Sequence, residues 1–398
     1  MKPLKLVIKA DAIEHYIYRG YLYVVMMDGC IVRVSLNSVF EILKSRYAEY
    51  SGLIDLAYRR NAFWNSDAAK CFLSIGDVKK ALMQAWRKAT ENIRFEIALA
   101  DLEPVTVVKD LKSDILDMDI YADTLLLACT DGYYSVRLED PRGFAWKKQI
   151  RPDKKFDGKT YRIASAYGNG MLSLGHDGLA VADILNQRNV SDNPIRKEAS
   201  FTSQWTGAGG IINYSSSNDF QFIGNRMQRS KSAPERYEIE QFDTTFRSID
   251  TLLTKDSEIT SSKLQLCFNG RDRQFFLTRN GALYYSDVKV KSAQISRFKI
   301  EQISSPRSNL KKFGTAISGT IIADQPIIEF DDKLVLIQNN EFHTVEEDSI
   351  VSMHTYPRST HFRDVLSVTT EDSINIHAID VFDYNPADLF VEPRRYKA

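Results

Sequence analysis

The feature that most constrains this chain is a recurring unit: an apolar, β-branched or aromatic run, then a two-residue polar turn, then a second such run. Residues 22–27, Asp28-Gly29 and residues 30–34 make the first copy. Residues 124–130, Asp131-Gly132 and 133–138 repeat it, as do 170–176, Asp177-Gly178 and 179–184, then 274–279, Asn280-Gly281 and 282–286. Such a pattern reads as a β-hairpin, and a type I′ turn needs positive φ at both central residues, which Gly, Asn and Asp tolerate best. Weaker copies place turns at Gly224-Asn225, Asn339-Asn340 and Glu371-Asp372, the last between residues 365–370 and 373–379. Seven hairpins are therefore expected.

Most intervals between the turn centres, near residues 28, 131, 177, 225, 280, 339 and 371, are close to the ~40–50 residues of one four-stranded propeller blade. The hairpins resemble the blades of β-propeller proteins over residues 13–36 and 105–383. No specific family is implied. Gly175-His176 stands directly before a turn and none of the four Trp precedes Asp, so the WD40 signature is missing, and Gly209-Gly210 is a single rather than recurring double glycine. The resemblance implies a mainly β fold, a seven-bladed β-propeller made of residues 1–37 and 103–385, with tandem β-sandwiches as the alternative. In a closed propeller the first strand often completes the last blade, and Leu4-Lys5-Leu6-Val7-Ile8 is the candidate to pair with the segment from Val365 to Ile379.

The interval from 28 to 131 is too long by about one blade, and there the period changes. Ser38-x-x-Glu41 has the form of a capping box ahead of Val39, Phe40, Ile42 and Leu43, while Val78, Ala81, Leu82, Ala85, Ala89 and Ile93 fall at helical steps. A helical insertion is expected over residues 38–102, with strand resuming at Val105-Thr106-Val107-Val108. Residues 141–159 and 226–236 read as exposed basic loops, and residues 386–398 as a C-terminal tail.

Lys plus Arg and Asp plus Glu both number 52, so no net charge draws in nucleic acid or anionic lipid over long range. The lysine-interrupted N-terminus lacks the apolar core of a signal peptide, and no stretch approaches a membrane span. Cys30, Cys71, Cys129 and Cys267 are widely spaced among apolar neighbours, which reads as buried thiols in a reducing, cytoplasmic setting rather than a metal or redox motif.

No catalytic constellation stands out, and no catalytic residue, metal ligand or cofactor is assigned. His354 and His361, with Tyr356, Arg358 and Asp364 nearby, are the densest group of reactive types, yet nothing in their spacing fixes a metal geometry. Gly207-Ala208-Gly209-Gly210 lacks the Gly-Lys-Ser/Thr ending of a phosphate loop and reads as a turn. Turn chemistry accounts for Asp28, Asp131 and Asp177. The helical insertion carries Tyr47, Tyr50, Tyr58, Phe63, Trp64 and Trp86, more aromatic area than a connector needs. Aromatic and Arg residues concentrate at the energetic centres of interfaces, so Arg59, Arg60, Phe63, Trp64 and Trp86 are the expected partner-binding residues.

The expected role is a non-catalytic scaffold or sensor subunit of a multi-protein, bacterial assembly, holding a protein partner through the insertion or one propeller face. Two alternatives stand beside it. One is a hydrolase with a central-channel site. The other is a nucleic-acid-binding protein using Arg142, Trp146, Lys147, Lys148 and Arg151 in the segment 142–159, where cations interleave with aromatics.

Overall fold

The computed structural model describes residues 2–58, 71, 73, 75–109, 111–138, 150–185, 190, 195, 197–205, 210–216, 219–229, 237–242, 247–253, 259–270, 273–291, 294–295, 297–303, 310–322, 325–338, 341–357, 359 and 362–379. It is mainly β, a seven-bladed β-propeller built from seven small sheets, so the two large facing sheets of a sandwich pair are ruled out. Blade one has the strand order Ala12–Tyr18, Tyr21–Met26, Ile31–Ser35, Val105–Val108. Blade two runs Ile115–Tyr121, Thr124–Cys129, Gly132–Arg137, Asp153–Asp157, and blade three Arg162–Ala166, Asn169–Ser173, Leu179–Asp183. Blade four is Thr202–Trp205, Ile211–Ser216, Asp219–Ile223, Arg247–Ser248; blade five Leu264–Asn269, Arg273–Thr278, Leu283–Asp287, Glu301–Gln302; blade six Ala316–Ile322, Gln325–Phe330, Lys333–Gln338, Glu341–Glu346.

Blade seven differs from the rest. Ser352–Thr355, Val365–Thr369 and Ser373–Ala378 are followed in the sheet by the N-terminal strand Leu4–Lys9 and then by Phe95–Ala98. Leu4–Lys9 runs antiparallel to Ser373–Ala378 with Leu4 opposite Ala378 and Lys9 opposite Ser373, the closure expected from the sequence. Phe95–Ala98 adds a parallel fifth strand, Leu6 opposite Phe95. Central strand Thr124–Cys129 is buried at every residue, which is why it reads as a near-continuous apolar run, and Ser373–Ala378 is buried throughout although its sequence alternates polar and apolar.

Six of the seven expected hairpins sit where the sequence places them, but none of the four Asp-Gly and Asn-Gly turns is of the expected type. At Asp28-Gly29 the Gly29 amide donates to Met26 O and the Met26 amide to Cys30 O, both 2.9 Å, and only Gly29 has positive φ. Asn280-Gly281 repeats this, with Gly281 donating to Thr278 O at 2.8 Å. These are three-residue loops ending in a left-handed glycine. Pairs with both residues at positive φ, as type I′ requires, lie instead at Arg19-Gly20, Ala122-Asp123 and Tyr167-Gly168, which join the first and second strands of blades one to three. The seventh expected turn, Gly224-Asn225, is corrected. Phe220–Ile223 belongs to a return strand already paired with Ile211–Ser216, and the chain continues through Gly224 into Asn225–Arg229, which pairs with Tyr237–Phe242.

The described residues form two compact units, one of residues 1–23, 33–105 and those from 348 onward, the other of 24–32 and 106–347. In the second unit each apolar core fills the space between consecutive blades. Leu126, Ala128 and Tyr133 of blade two meet Leu172, Ala180 and Ala182 of blade three, while Phe222 of blade four meets Phe276 of blade five through Phe298. The first strands of these blades are also laced by side chain to backbone. Asp117 and Asp119 accept the amides of Ile163 and Ser165, each at 2.8 Å, and the Tyr121 hydroxyl accepts that of Gly168 at 3.0 Å. The two-residue period of the strand sets that spacing. Gln204 extends the lacing, accepting the Asn269 amide at 2.9 Å and donating to Gly319 O at 3.2 Å.

In the first unit the described part of segment 38–102 contains helices α1 (Leu36–Arg46), α2 (Ser51–Ala57) and α3 (Gly76–Asn92), then returns to strand at Phe95. Helix α1 starts two residues before Ser38, so the expected capping box is not formed. Strand Ile31–Ser35 runs straight into the helix, and the Leu36 amide is taken by Gly20 O at 2.9 Å. Leu36, Val39, Phe40 and Leu43 form the buried stripe of α1. Phe40 stacks on Tyr58 with ring centroids 4.9 Å apart, and the Tyr58 hydroxyl donates toward Leu4 O and Ile376 O. Tyr47 and Tyr50 set their edges on Phe95. Among the described residues no helix is long and apolar enough to cross a membrane.

Candidate functional site

Strand Ala12–Tyr18 is mostly apolar and aromatic, but it places Glu14 and His15 at its centre, 4% and 0% exposed. Consecutive strand residues normally point to opposite faces. Here the Glu14 side chain folds back so that Oε1 accepts the amide of His15 at 2.7 Å, which turns the carboxylate toward the histidine beside it. Strand Ser352–Thr355 of blade seven brings His354, whose Nε2 lies 2.9 Å from the same Oε1. The two imidazoles meet edge to face, centroids 5.2 Å apart, and Tyr16 covers His354 with its ring at 5.1 Å.

Hydroxyls from blade seven surround this trio. The Thr369 Oγ1 sits 2.6 Å from His15 Nδ1 and accepts from Ser352 Oγ at 3.1 Å. Tyr356 Oη accepts the Ile17 amide at 3.2 Å and pairs with Ser367 Oγ at 2.6 Å. One polar atom of the group is left over: His15 Nε2 is buried without a hydrogen-bond partner.

The electrostatics follow from burial and proximity. Burial pushes the Glu14 carboxyl upward, but chiefly the charge and hydrogen bond of His354, with the Ser352 hydroxyl, outweigh it and hold the group below the usual carboxylate range. Burial, reinforced by His354 and opposed by Glu14, pushes His15 down to about 3, so it is a neutral imidazole at neutral pH. The result is an anionic carboxylate beside a neutral imidazole with one open nitrogen. Glu14, His15 and His354 each offer a ligand atom, and these atoms lie within 4.8 Å of one another.

Of the residues singled out in the sequence, His354 enters this cluster and Tyr356 braces it. Asp364 pairs with Arg363 at 3.6 Å, while His361 and Arg358 lie outside the described residues. Glu14 and His15 were not picked out, although the expected strand closure sets the first and last blades side by side and so pointed to them.

Trp86 is corrected as a surface contact. It is fully buried, and its Nε1 donates to Lys2 O at 2.9 Å, fastening α3 to the N-terminal strand. Arg59, Arg60, Phe63 and Trp64 lie outside the described residues, as do Arg142, Trp146, Lys147, Lys148, Gly207, Ala208, Gly209 and the tail 386–398. Arg151 is exposed. The basic stretch is not a loop throughout: Asp153–Asp157 is the last strand of blade two, where Lys154 pairs with Asp157 at 2.8 Å and Lys155 with Asp153 at 2.5 Å. Only two of the four cysteines are buried as expected. Cys129, pushed up to about 12 mainly by burial, and Cys267 lie in the core, Cys30 is half-buried and Cys71 exposed.

No family model and no curated protein matches the chain. Solved structures similar to it include the β-propeller domain of Cps50 (Swd1) from Myceliophteria thermophila, 11% identical, TM-score 0.49, covering 94% of this chain and 98% of that one. YCF48 bound to D1 peptide is 9% identical with a TM-score of 0.48, covering 95% and 97%. The WD40 β-propeller domain of Doa1 is 7% identical with a TM-score of 0.46, covering 96% and 98%. The chain is a divergent β-propeller without a specific family, on the strand order and register above.

Proposed function

We propose that this protein is a non-catalytic binding propeller, a subunit of a multi-protein assembly whose partner docks on the helical segment between Ser35 and Phe95. The observation that supports it most is how firmly that segment is held while one side of it stays open. Trp86 and Ala89 bury one side of α3, Tyr58 fixes α2 to Leu4–Lys9, and Phe95–Ala98 joins the sheet. On its opposite side α3 exposes Lys80, Gln84, Arg87, Lys88 and Glu91, a single stripe at helical spacing. A surface already fixed in place loses little further freedom on binding, which favours recognition. Exposed Asp77 lies on the same stripe, and three cations against two acids leave a net positive face that fits a partner with an acidic patch. Arg59, Arg60, Phe63 and Trp64, from the same stretch of sequence, are proposed as further partner contacts, without Trp86.

A photo-crosslinking residue placed at Gln84 in the native host is expected to capture one protein. The same residue at exposed Thr251 should not, and a Lys80→Glu/Arg87→Glu/Lys88→Glu variant should abolish capture at Gln84. Equal capture at both positions, or capture that survives the charge reversal, would count against the reading.

A further inference from the structure

We propose that Glu14, His15 and His354 form a binding site for a divalent transition-metal cation, zinc in the first instance, with the Glu14 carboxylate and one ring nitrogen of each histidine as ligands. The site is independent of the partner-binding reading.

The donor set comes first. Two imidazoles and a carboxylate suit zinc and neighbouring first-row cations, and three protein ligands leave a fourth position open. Among the described residues this is the single grouping of three or more His, Cys, Asp or Glu donors close enough to share an ion. In a tetrahedral zinc complex with bonds near 2.0–2.1 Å, ligand atoms stand roughly 3.4 Å apart. Glu14 Oε1 lies 2.9 Å from His354 Nε2 and 4.0 Å from His15 Nδ1, and one ligand atom from each of the three residues lies within 4.8 Å of the others, a spread that straddles that value.

Hydrogen bonding supplies the second reason. A buried polar atom without a partner keeps its full desolvation cost. His15 Nε2 is such an atom on a residue with no exposure, and a network kept only for packing gains nothing from it. A cation beside Nε2 removes that cost. His15 Nδ1 is already engaged by Thr369 Oγ1, as a metal-ligating imidazole is usually held by a bond to its other nitrogen. Glu14 is in turn fixed by the His15 amide. Access is from the His354 side, where the histidine and Tyr16 are half-buried while Glu14 and His15 are closed off.

The test uses the full chain, stripped of metal with a chelator and titrated with zinc chloride against a chromophoric competitor, with cobalt(II) as a spectroscopic substitute. The expected result is one ion per chain. Thr369→Val should weaken binding by roughly 10–100-fold, and His15→Gln or His354→Gln by more than that. Cys71→Ser, which removes the exposed thiol, should change nothing. The inference is overturned if the wild type binds no stoichiometric zinc, if His15→Gln binds as tightly as wild type, or if Cys71→Ser abolishes binding. Should the histidine variants fail to fold by circular dichroism, X-ray absorption of the wild-type cobalt form decides: nitrogen and oxygen ligation supports the site, and sulfur ligation refutes it.

Discussion

Two pairs of first strands solve the same problem differently. In the second unit, Ile115–Tyr121 of blade two carries Asp117 and Asp119 into a buried setting and satisfies them with backbone amides of blade three, helped by Arg162 at 3.4 Å from Asp117. In the first unit, Ala12–Tyr18 carries Glu14 and His15 against Ser352–Thr355, and the groups they meet are a second histidine and hydroxyls. The lacing of blades two and three closes every acceptor named in it. The cluster of blades one and seven leaves His15 Nε2 open. The buried acids of the first pair act as staples, and the buried acid of the second sits in the candidate site.

That contrast can be broken by substitution. Asp117→Ala should have the largest effect, about 3 kcal/mol, because it strands the buried Ile163 amide and removes a charged acceptor. Denaturant unfolding measures it, and a loss under about 1 kcal/mol would mean the staple is ornamental. Thr369→Val should cost about 2 kcal/mol by leaving His15 Nδ1 and the Ser352 hydroxyl without their partner, and the double variant with His15→Leu should recover part of that by removing the stranded imidazole. No recovery would show that the polar group is needed for folding itself. Tyr356→Phe should cost about 1 kcal/mol, losing the acceptor of the Ile17 amide, with faster hydrogen exchange at Ile17 as the local readout.

Glu329 gives the smallest effect and tests the sign of a third arrangement. Burial raises its pKa, while the Ser318 hydroxyl at 2.6 Å and the charge of Arg162 oppose the rise. A carboxyl with a raised folded pKa stabilises the fold most below its unfolded pKa and loses that contribution as pH rises through the folded value. Glu329→Gln should therefore raise the thermal midpoint slightly at neutral pH, and the gain should vanish in acid. A pH-independent difference would contradict it.

Much of the fold was legible because hairpins announce themselves locally. Asp28-Gly29 and Asn280-Gly281 mark real turns, and the closing strand followed from the need to cover an edge. Three type I′ turns went unread because Arg19, Ala122 and Tyr167 are not residues that advertise positive φ. The turn at Gly224-Asn225 was misplaced because a run such as Phe220–Ile223 looks the same whether it enters a hairpin or returns from one. The cluster was half legible. His354 drew attention as a chemical type, but its partner Glu14 is 340 positions away, and only the pairing of Leu4–Lys9 with Ser373–Ala378 makes them neighbours.

The most direct measurement is an anomalous difference map, recorded at the zinc edge from crystals of the full chain grown with zinc chloride. The expected result is a peak bounded by Glu14, His15 and His354, about 2.0–2.2 Å from a carboxylate oxygen and a ring nitrogen of each histidine. An ordered water on His15 Nε2 with no anomalous signal there, or a peak confined to Cys71, would contradict it.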